Sequence, residues 1–337
     1  MQDDRLPAGR DPARAPFRWG ALAAGLLAVL LPILIAPSEY FIYLGTMALV
    51  LSLLAQSWGL LAQVGLISFG HAAFFGLGAY GSALLSLRWQ VSPWIALVAA
   101  ALLTAAFGLV AAAAVGDLSG PYFSLATLAL AEVLRVVALH WADLTEGAWG
   151  LVGVPGLPPV QIRGLEAWSG ALGARVTNYY VALIMLAGIS GLCAWMQRAP
   201  LGLAFEAIRQ GEERAAALGV DTRRAKRIAL ALSGLFAGGA GALHAHIFHW
   251  VDPSSAFSLH LSVLPLVMAM FGGSAYLLGP PLGALVLYLG DELVFQRVAP
   301  GGHLWLYGGA IIFVILALPN GLLGWIDARM GGRRGAV

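Results

Sequence analysis

Glu132 and Arg135 stand three positions apart in an otherwise apolar run from Tyr122 to Trp141. On a helix that spacing puts both side chains on one face, within reach of each other. In hydrocarbon each charge alone is costly, so the two must pair or face the interior of a bundle. A pathway or gating pair is one reading; a buried structural ion pair is the plainer one. Asp291 and Glu292 lie near the end of another apolar run, where acidic side chains can snorkel to an interface. With Glu132, they are the groups a proton-coupled mechanism would use. A third constellation is Gln63-Val64-Gly65-Leu66-Ile67-Ser68-Phe69-Gly70-His71, which gathers Gln, Ser, His and two glycines where an apolar run begins. Broken helices expose backbone groups to a cavity, and transporters use them for substrate contact. Gly65, Ser68, Phe69, Gly70 and His71 are therefore candidates for a pathway wall, although a histidine hydrogen-bonded for structure is the commoner case. Phe271-Gly272-Gly273-Ser274 looks like a second break, and its likeness to Phe69-Gly70-His71-Ala72 hints at an internal repeat.

Other chemistry is missing from the chain. Neither HExxH nor GxSxG occurs, and no two of the seven histidines stand four apart with an acid between them. The lone Cys193 allows neither an intrachain disulfide nor a cysteine-based zinc site. The lone lysine, Lys226, lies in Arg223-Arg224-Ala225-Lys226-Arg227, not after the glycine turn of a phosphate-binding loop. The expectation is a non-enzyme with no metal and no cofactor of its own. The net charge of +2 is too small to suggest a nucleic-acid partner.

The elements that must position these residues follow from composition. Of 337 residues, 60% are apolar and 11% charged, against about a quarter charged in soluble domains. The mean hydropathy is +0.82. That composition cannot supply a charged skin, so the solvent is a lipid bilayer. Backbone polar groups in lipid must pair internally, and continuous apolar runs do so as helices. At about 20 residues per crossing, ten runs are expected to span: 19–36, 40–61, 66–87, 93–116, 122–141, 178–197, 228–247, 259–277, 281–296 and 304–325. Ala21 to Ala36 is long, and Pro37 follows its one small-residue cleavage candidate, so it reads as an uncleaved first span.

Basic residues orient the spans. With both termini inside, Arg5, Arg10, Arg14 and Arg18 are cytoplasmic, as are seven basic residues between Arg198 and Arg227 and three at the tail. Only Arg88, Arg163, Arg175 and Arg297 fall outside. The expected organisation is an all-α membrane protein: a cytoplasmic tail over 1–18, a transmembrane domain over 19–325 and a second tail over 326–337. An outer loop, 142–177, is rich in glycine and proline and reads as a cap with a short helix near Leu165–Leu172. Intramembrane glycines such as Gly234 and Gly238, or Gly279 and Gly283, have the spacing that lets helices approach closely.

The inner loop, 198–227, differs in kind. Residues 200–220 are charged, alanine-rich and helix-compatible. They predict two short helices with a turn near Gln210-Gly211 and a C-terminal cap at Gly219. Leu203, Ala207 and Ile208 would form one side of the first; Ala215, Ala216 and Leu218 belong to the second. Such a surface suits docking into a partner's groove.

Glu213-Arg214-Ala215-Ala216-Ala217-Leu218-Gly219 resembles the EAA-type loop of ABC importer permeases. Four stretches are more specifically similar to branched-chain amino acid ABC permeases of the LivM type: Gln63 to Tyr80, Gly120 to Arg135, Leu144 to Gly147, and Pro200 to Asp221. The likeness runs in order over roughly residues 40–325. It departs at Glu146, where the family usually has glycine. The resemblance implies a non-catalytic permease in a bacterial inner membrane, with a second homologous permease subunit and two cytoplasmic ATPases that bind the nucleotide. A periplasmic binding protein would deliver a branched-chain or related amino acid. It also implies docking of the ATPase through Glu206, Arg209, Glu213, Ala215, Ala216 and Gly219. A proton- or sodium-coupled secondary transporter is the alternative.

Overall fold

The computed structural model describes residues 29, 39–159, 170–298, 301–302, 305, 308–309, 312, 316–318 and 320–331. The expected first span over 19–36 lies outside them, apart from residue 29. So do both terminal tails, except for 326–331, and the short helix expected near Leu165–Leu172, except for its last three residues.

The described chain is almost wholly helical. Helices α1 (Glu39–Gln63), α2 (His71–Arg88), α3 (Pro93–Val115), α4 (Pro121–His140) and α5 (Gly170–Met196) run alternately between two ends of a bundle. Two short helices follow at one end, α6 (Pro200–Gln210) and α7 (Glu212–Ala217); this is the loop end. Helix α8 (Thr222–Phe248) returns to the other end, where β1 (Leu151–Val152) pairs antiparallel with β2 (Trp250–Val251). Helices α9 (Leu259–Gly272), α10 (Gly279–Gly290) and α11 (Gly321–Gly331) follow. Local sequence explains the starts. Proline opens α3, α4 and α6, where a missing N–H costs nothing. Asp221 and Ser258 cap α8 and α9 by accepting from Arg224 N and Leu261 N.

Helix α8 is the axis, packing on α3, α2 and α1, while α1 also meets α5 and α10. These contacts are backbone-close because the facing residues are small: a Cβ on Gly78 would collide with the Gly238 carbonyl, and one on Gly241 with the Phe75 carbonyl. Gly283 approaches the Met268 carbonyl in the same way. The glycines expected to pack do pack.

Several expected spans are corrected. Among the described residues six helices are long and apolar enough to cross a membrane: Glu39–Gln63, Pro93–Val115, Pro121–His140, Gly173–Met196, Thr222–Phe248 and Pro253–Gly272. The third run starts at His71, not 66, because residues 66–70 are not helical: Gly65 takes φ +78° and Gly70 φ −112° with ψ 26°. His71, Arg88 and several glycines and serines also dilute its apolarity. Helix α5 begins at Gly170, eight residues before the expected 178. The run 259–277 stops at Gly272, since Gly273 takes a φ of +104° and turns the chain. The run 281–296 is α10 followed by a wider π turn at Asp291–Phe295. In the last run, 304–325, the described residues 305, 308–309, 312 and 316–317 are helical, 318 and 320 are not, and a further helix, α11, begins at Gly321. The two expected breaks are not equivalent either: the first precedes a helix, whereas Phe271-Gly272 ends one.

Candidate functional site

The break between α1 and α2 is built from partners on four helices. Leu61 O closes the end of α1 by accepting from Val64 N and Leu66 N, each at 3.0 Å, around Gly65 at φ +78°. The chain then runs to Gly70 without helix. Its backbone groups, which would be orphaned in a membrane, are met one by one. Ser124 Oγ donates to Ile67 O at 2.6 Å and Trp58 Nε1 to Ser68 O at 2.9 Å. Phe69 N donates to Thr127 Oγ1 at 3.2 Å, Gly70 N to Ser68 Oγ at 3.2 Å and Ala72 N to Ser262 Oγ at 3.1 Å. Gly70 lies so close to α4 that a Cβ would land on the Thr127 carbonyl.

His71 opens α2 and is fully buried. Its Nε2 lies 2.9 Å from Ser57 Oγ and 3.4 Å from Ser233 Oγ. Ser57 spends its hydroxyl hydrogen on Leu54 O, and Ser233 spends its own on Ser57 O. The imidazole hydrogen therefore sits on Nε2, and Nδ1 is left without a partner among the described residues. Ser68, Phe69, Gly70 and His71 thus come together in one polar knot, with Ile67 facing out. Sequence reasoning missed the knot's partners, Ser57, Ser124, Thr127, Ser233 and Ser262. Serine and threonine inside apolar runs were the available signal.

The break also touches the loop end: a Cβ on Gly65 would sit 3.3 Å from the Arg209 Cα. There α6 and α7 form as expected, divided at Gly211. Gly219 closes α7 at φ +86°, with Val220 N donating to Ala215 O at 3.0 Å and Gly219 N to Ala216 O at 2.9 Å, the paired bonds of a Schellman cap. The inward side differs from expectation. Phe205, Ile208 and Ala215 are buried, whereas Leu203 and Leu218 are 72% and 84% exposed. Glu206, Arg209, Glu213, Ala216 and Gly219 are exposed as well. Arg209 forks onto Glu206 at 2.7 Å and Gln210 adds a bond at 2.9 Å, so Arg209 first and Gln210 second hold that carboxyl below its usual range. Lys226, only 2% exposed, bonds Gly116 O at 3.0 Å and pairs with Glu212 at 2.5 Å. It therefore ties α7, α8 and the end of α3 together.

Glu132 and Arg135 do share a face of α4, bonded Nε to Oε2 at 2.9 Å and Nη2 to Oε1 at 2.5 Å. The plainer reading placed them in the interior and is corrected: the Glu132 side chain is 56% exposed and that of Arg135 29%. Helix α4 buries only 28% of its apolar stretch, against 89% for α1, so its outward face carries the pair. At the ribbon end, Nδ1 of His246 donates to Pro155 O at 2.6 Å and Nδ1 of His249 to Val154 O at 2.7 Å. These two histidines clamp the segment at residues 154–155. Glu146, the departure noted above, takes φ +61°, where glycine is unstrained.

Residues 40–317 match the family model described as "Branched-chain amino acid transport system / permease component". The chain is 29% identical over 288 residues to the high-affinity branched-chain amino acid transport system permease protein LivM of Escherichia coli (strain K12), covering 81% of this chain and 67% of that one. It is 30% identical over 274 residues to the LivM of Salmonella typhimurium, covering 77% and 64%. The chain thus spans about two thirds of the length of these relatives. No solved structure matches.

Proposed function

The chain belongs to the family of branched-chain amino acid transport permease components, a multi-pass membrane family, and from that premise we propose that it is the membrane subunit of an ABC importer for branched-chain or related amino acids. It resides in the bacterial inner membrane, with the loop end in the cytoplasm and both termini inside. A second homologous permease subunit, two cytoplasmic ATPases and a periplasmic binding protein complete the machine. ATP is bound by the partners, and this chain contributes no catalysis and no cofactor site.

The observation that carries this reading is the α6–α7 pair. Two short helices, capped at Gly219 and tied down by Lys226, present Leu203 and Leu218 to solvent between the charges of Glu206, Arg209, Glu213 and Arg214. A connector between two spans has no use for exposed leucines on a braced platform; a groove on an ATPase does. Glu206, Arg209, Glu213, Ala216 and Gly219 form the contact, and the buried Ala215 seats the second helix. Motion at the platform reaches Gly65 through Arg209, and from there the segment Ser68, Phe69, Gly70 and His71. We assign that segment to the wall of the pathway, its knot of side chains holding the backbone until the ATPases close and the bundle rocks.

The test is reconstitution in liposomes with the partner subunits. Uptake of labelled leucine that requires both ATPases and ATP supports the proposal. Uptake by the chain alone, collapsed by a protonophore, refutes it in favour of a secondary transporter built on Glu132, Asp291 and Glu292.

A further inference from the structure

The outward face of α4 has the composition of a lipid-facing surface except at one place. Tyr122, Leu125, Val133, Val136 and Val137 are all exposed. Among them stands the Glu132–Arg135 pair. At 1.5 Å per residue, Glu132 lies about 16 Å along the axis from Pro121 and about 12 Å from His140. In a hydrocarbon layer of roughly 30 Å that is close to the midplane. A carboxylate more than half exposed in the single chain at that depth needs a polar neighbour in the assembled transporter, because each intramembrane charge is expensive and pairing does not recover the whole desolvation cost. A polar path in the assembled transporter meets that requirement, and the pair is the only Asp, Glu, Lys or Arg feature among the described residues of α4.

The pair's chemistry is that of one anion site and one fork-shaped cation site, side by side. Closed on itself it is neutral, so an empty path carries no net charge at its centre. Opened, it offers a carboxylate for an ammonium and a guanidinium for a carboxylate, with Val133 and Val136 alongside for an aliphatic side chain. A zwitterionic α-amino acid presents those three groups on one carbon. We propose that Glu132 and Arg135 form a midway relay site for the zwitterion, Glu132 taking the α-ammonium and Arg135 the α-carboxylate, and that the internal pair closes again once the substrate has left. The exchange trades one ion pair for two and leaves the site neutral at every stage. The inference rests on the transport reading above and deepens it by naming what the path recognises.

The test uses the full complex in liposomes, one binding protein throughout, labelled leucine as the probe, and ATP hydrolysis measured in parallel. Glu132→Gln with Arg135→Gln removes both charges and leaves no unpaired ion in the membrane. A purely structural pair tolerates that replacement. A relay does not, so leucine uptake is expected to fall at least tenfold while complex assembly and ATP hydrolysis stay at the wild-type level. Uptake unchanged in this double variant overturns the relay and leaves the importer standing. A wild-type complex that moves no amino acid overturns both. If the double variant is not recovered in the membrane, Arg135→Lys decides. It keeps the charge and the pair but loses the two-pronged grip, so uptake per ATP falls about tenfold if the relay is real, whereas an unchanged ratio overturns it.

Discussion

Gly219 separates the local geometry of the platform from what docks on it. Its φ of +86° lies in the left-handed region, and nothing stands within 4 Å of where a Cβ would be placed. Any side chain there meets backbone strain, about 1–2 kcal/mol, and no collision. Stiffening of the unfolded chain returns roughly 0.4–1 kcal/mol. Gly219→Ala and Gly219→Leu should therefore cost the isolated chain the same, about 1 kcal/mol, and Gly219→Asn less, since asparagine tolerates this region. Thermal unfolding of the purified chain should show alanine and leucine variants melting together, a few degrees below wild type. The assembled transporter should tell them apart. Leucine would project from the surface assigned to the ATPase, so transport falls while ATP hydrolysis continues; alanine remains near wild type. If the two variants melt far apart, the open space around Gly219 is wrong. If both transport equally, the coupling assignment is wrong.

Lys226→Met should destabilise the chain by about 2 kcal/mol, since it strips a buried bond from Gly116 O and frees the Glu212 carboxylate, which being partly exposed rehydrates. An unchanged melting temperature contradicts the tie. Glu146→Gly should raise stability by about 0.5 kcal/mol by relieving φ +61°, whereas Glu146→Val should lower it by about 1 kcal/mol; equal effects would refute the strain. Cys193 is fully buried, so a maleimide should label it only as the chain unfolds, and rapid labelling of the native protein would show α5 misplaced. Glu206, held below its ordinary 4.5, contributes stability above that value and loses it as pH falls through its folded value. With the pair about half exposed the contribution is a few tenths of a kcal/mol. Glu206→Gln should melt within a degree or so of wild type at pH 7 and coincide with it in stronger acid.

The platform was legible because its signals are local. Pro200 starts a helix, Gly211 interrupts it and Gly219 stops the next, each within a few residues of what it controls. The bundle was legible as apolar runs, and its errors cluster where polar residues are absorbed by tertiary contact. Arg175 counts with the outer loop on charge alone, yet it pairs with Glu39 of α1 and the helix continues through it. The break at 64–70 was visible as odd composition, but its form was not. Its partners Ser57, Ser124, Thr127, Ser233 and Ser262 come from α1, α4, α8 and α9, and no window along the chain brings them together.

The ion pair marks the same boundary from the other side. A spacing of three fixes that Glu132 and Arg135 meet; it does not fix which way their face of α4 points. That depends on where α2 and α3 already lie. With α8 occupying α3 and α2 through backbone-close glycine contacts, the small-residue side of α4, with Gly70 against Thr127, is the side that fits inward. Glu132 is carried outward as a consequence of where the glycines are, so the proposed relay pair is placed by residues that make no contact with it.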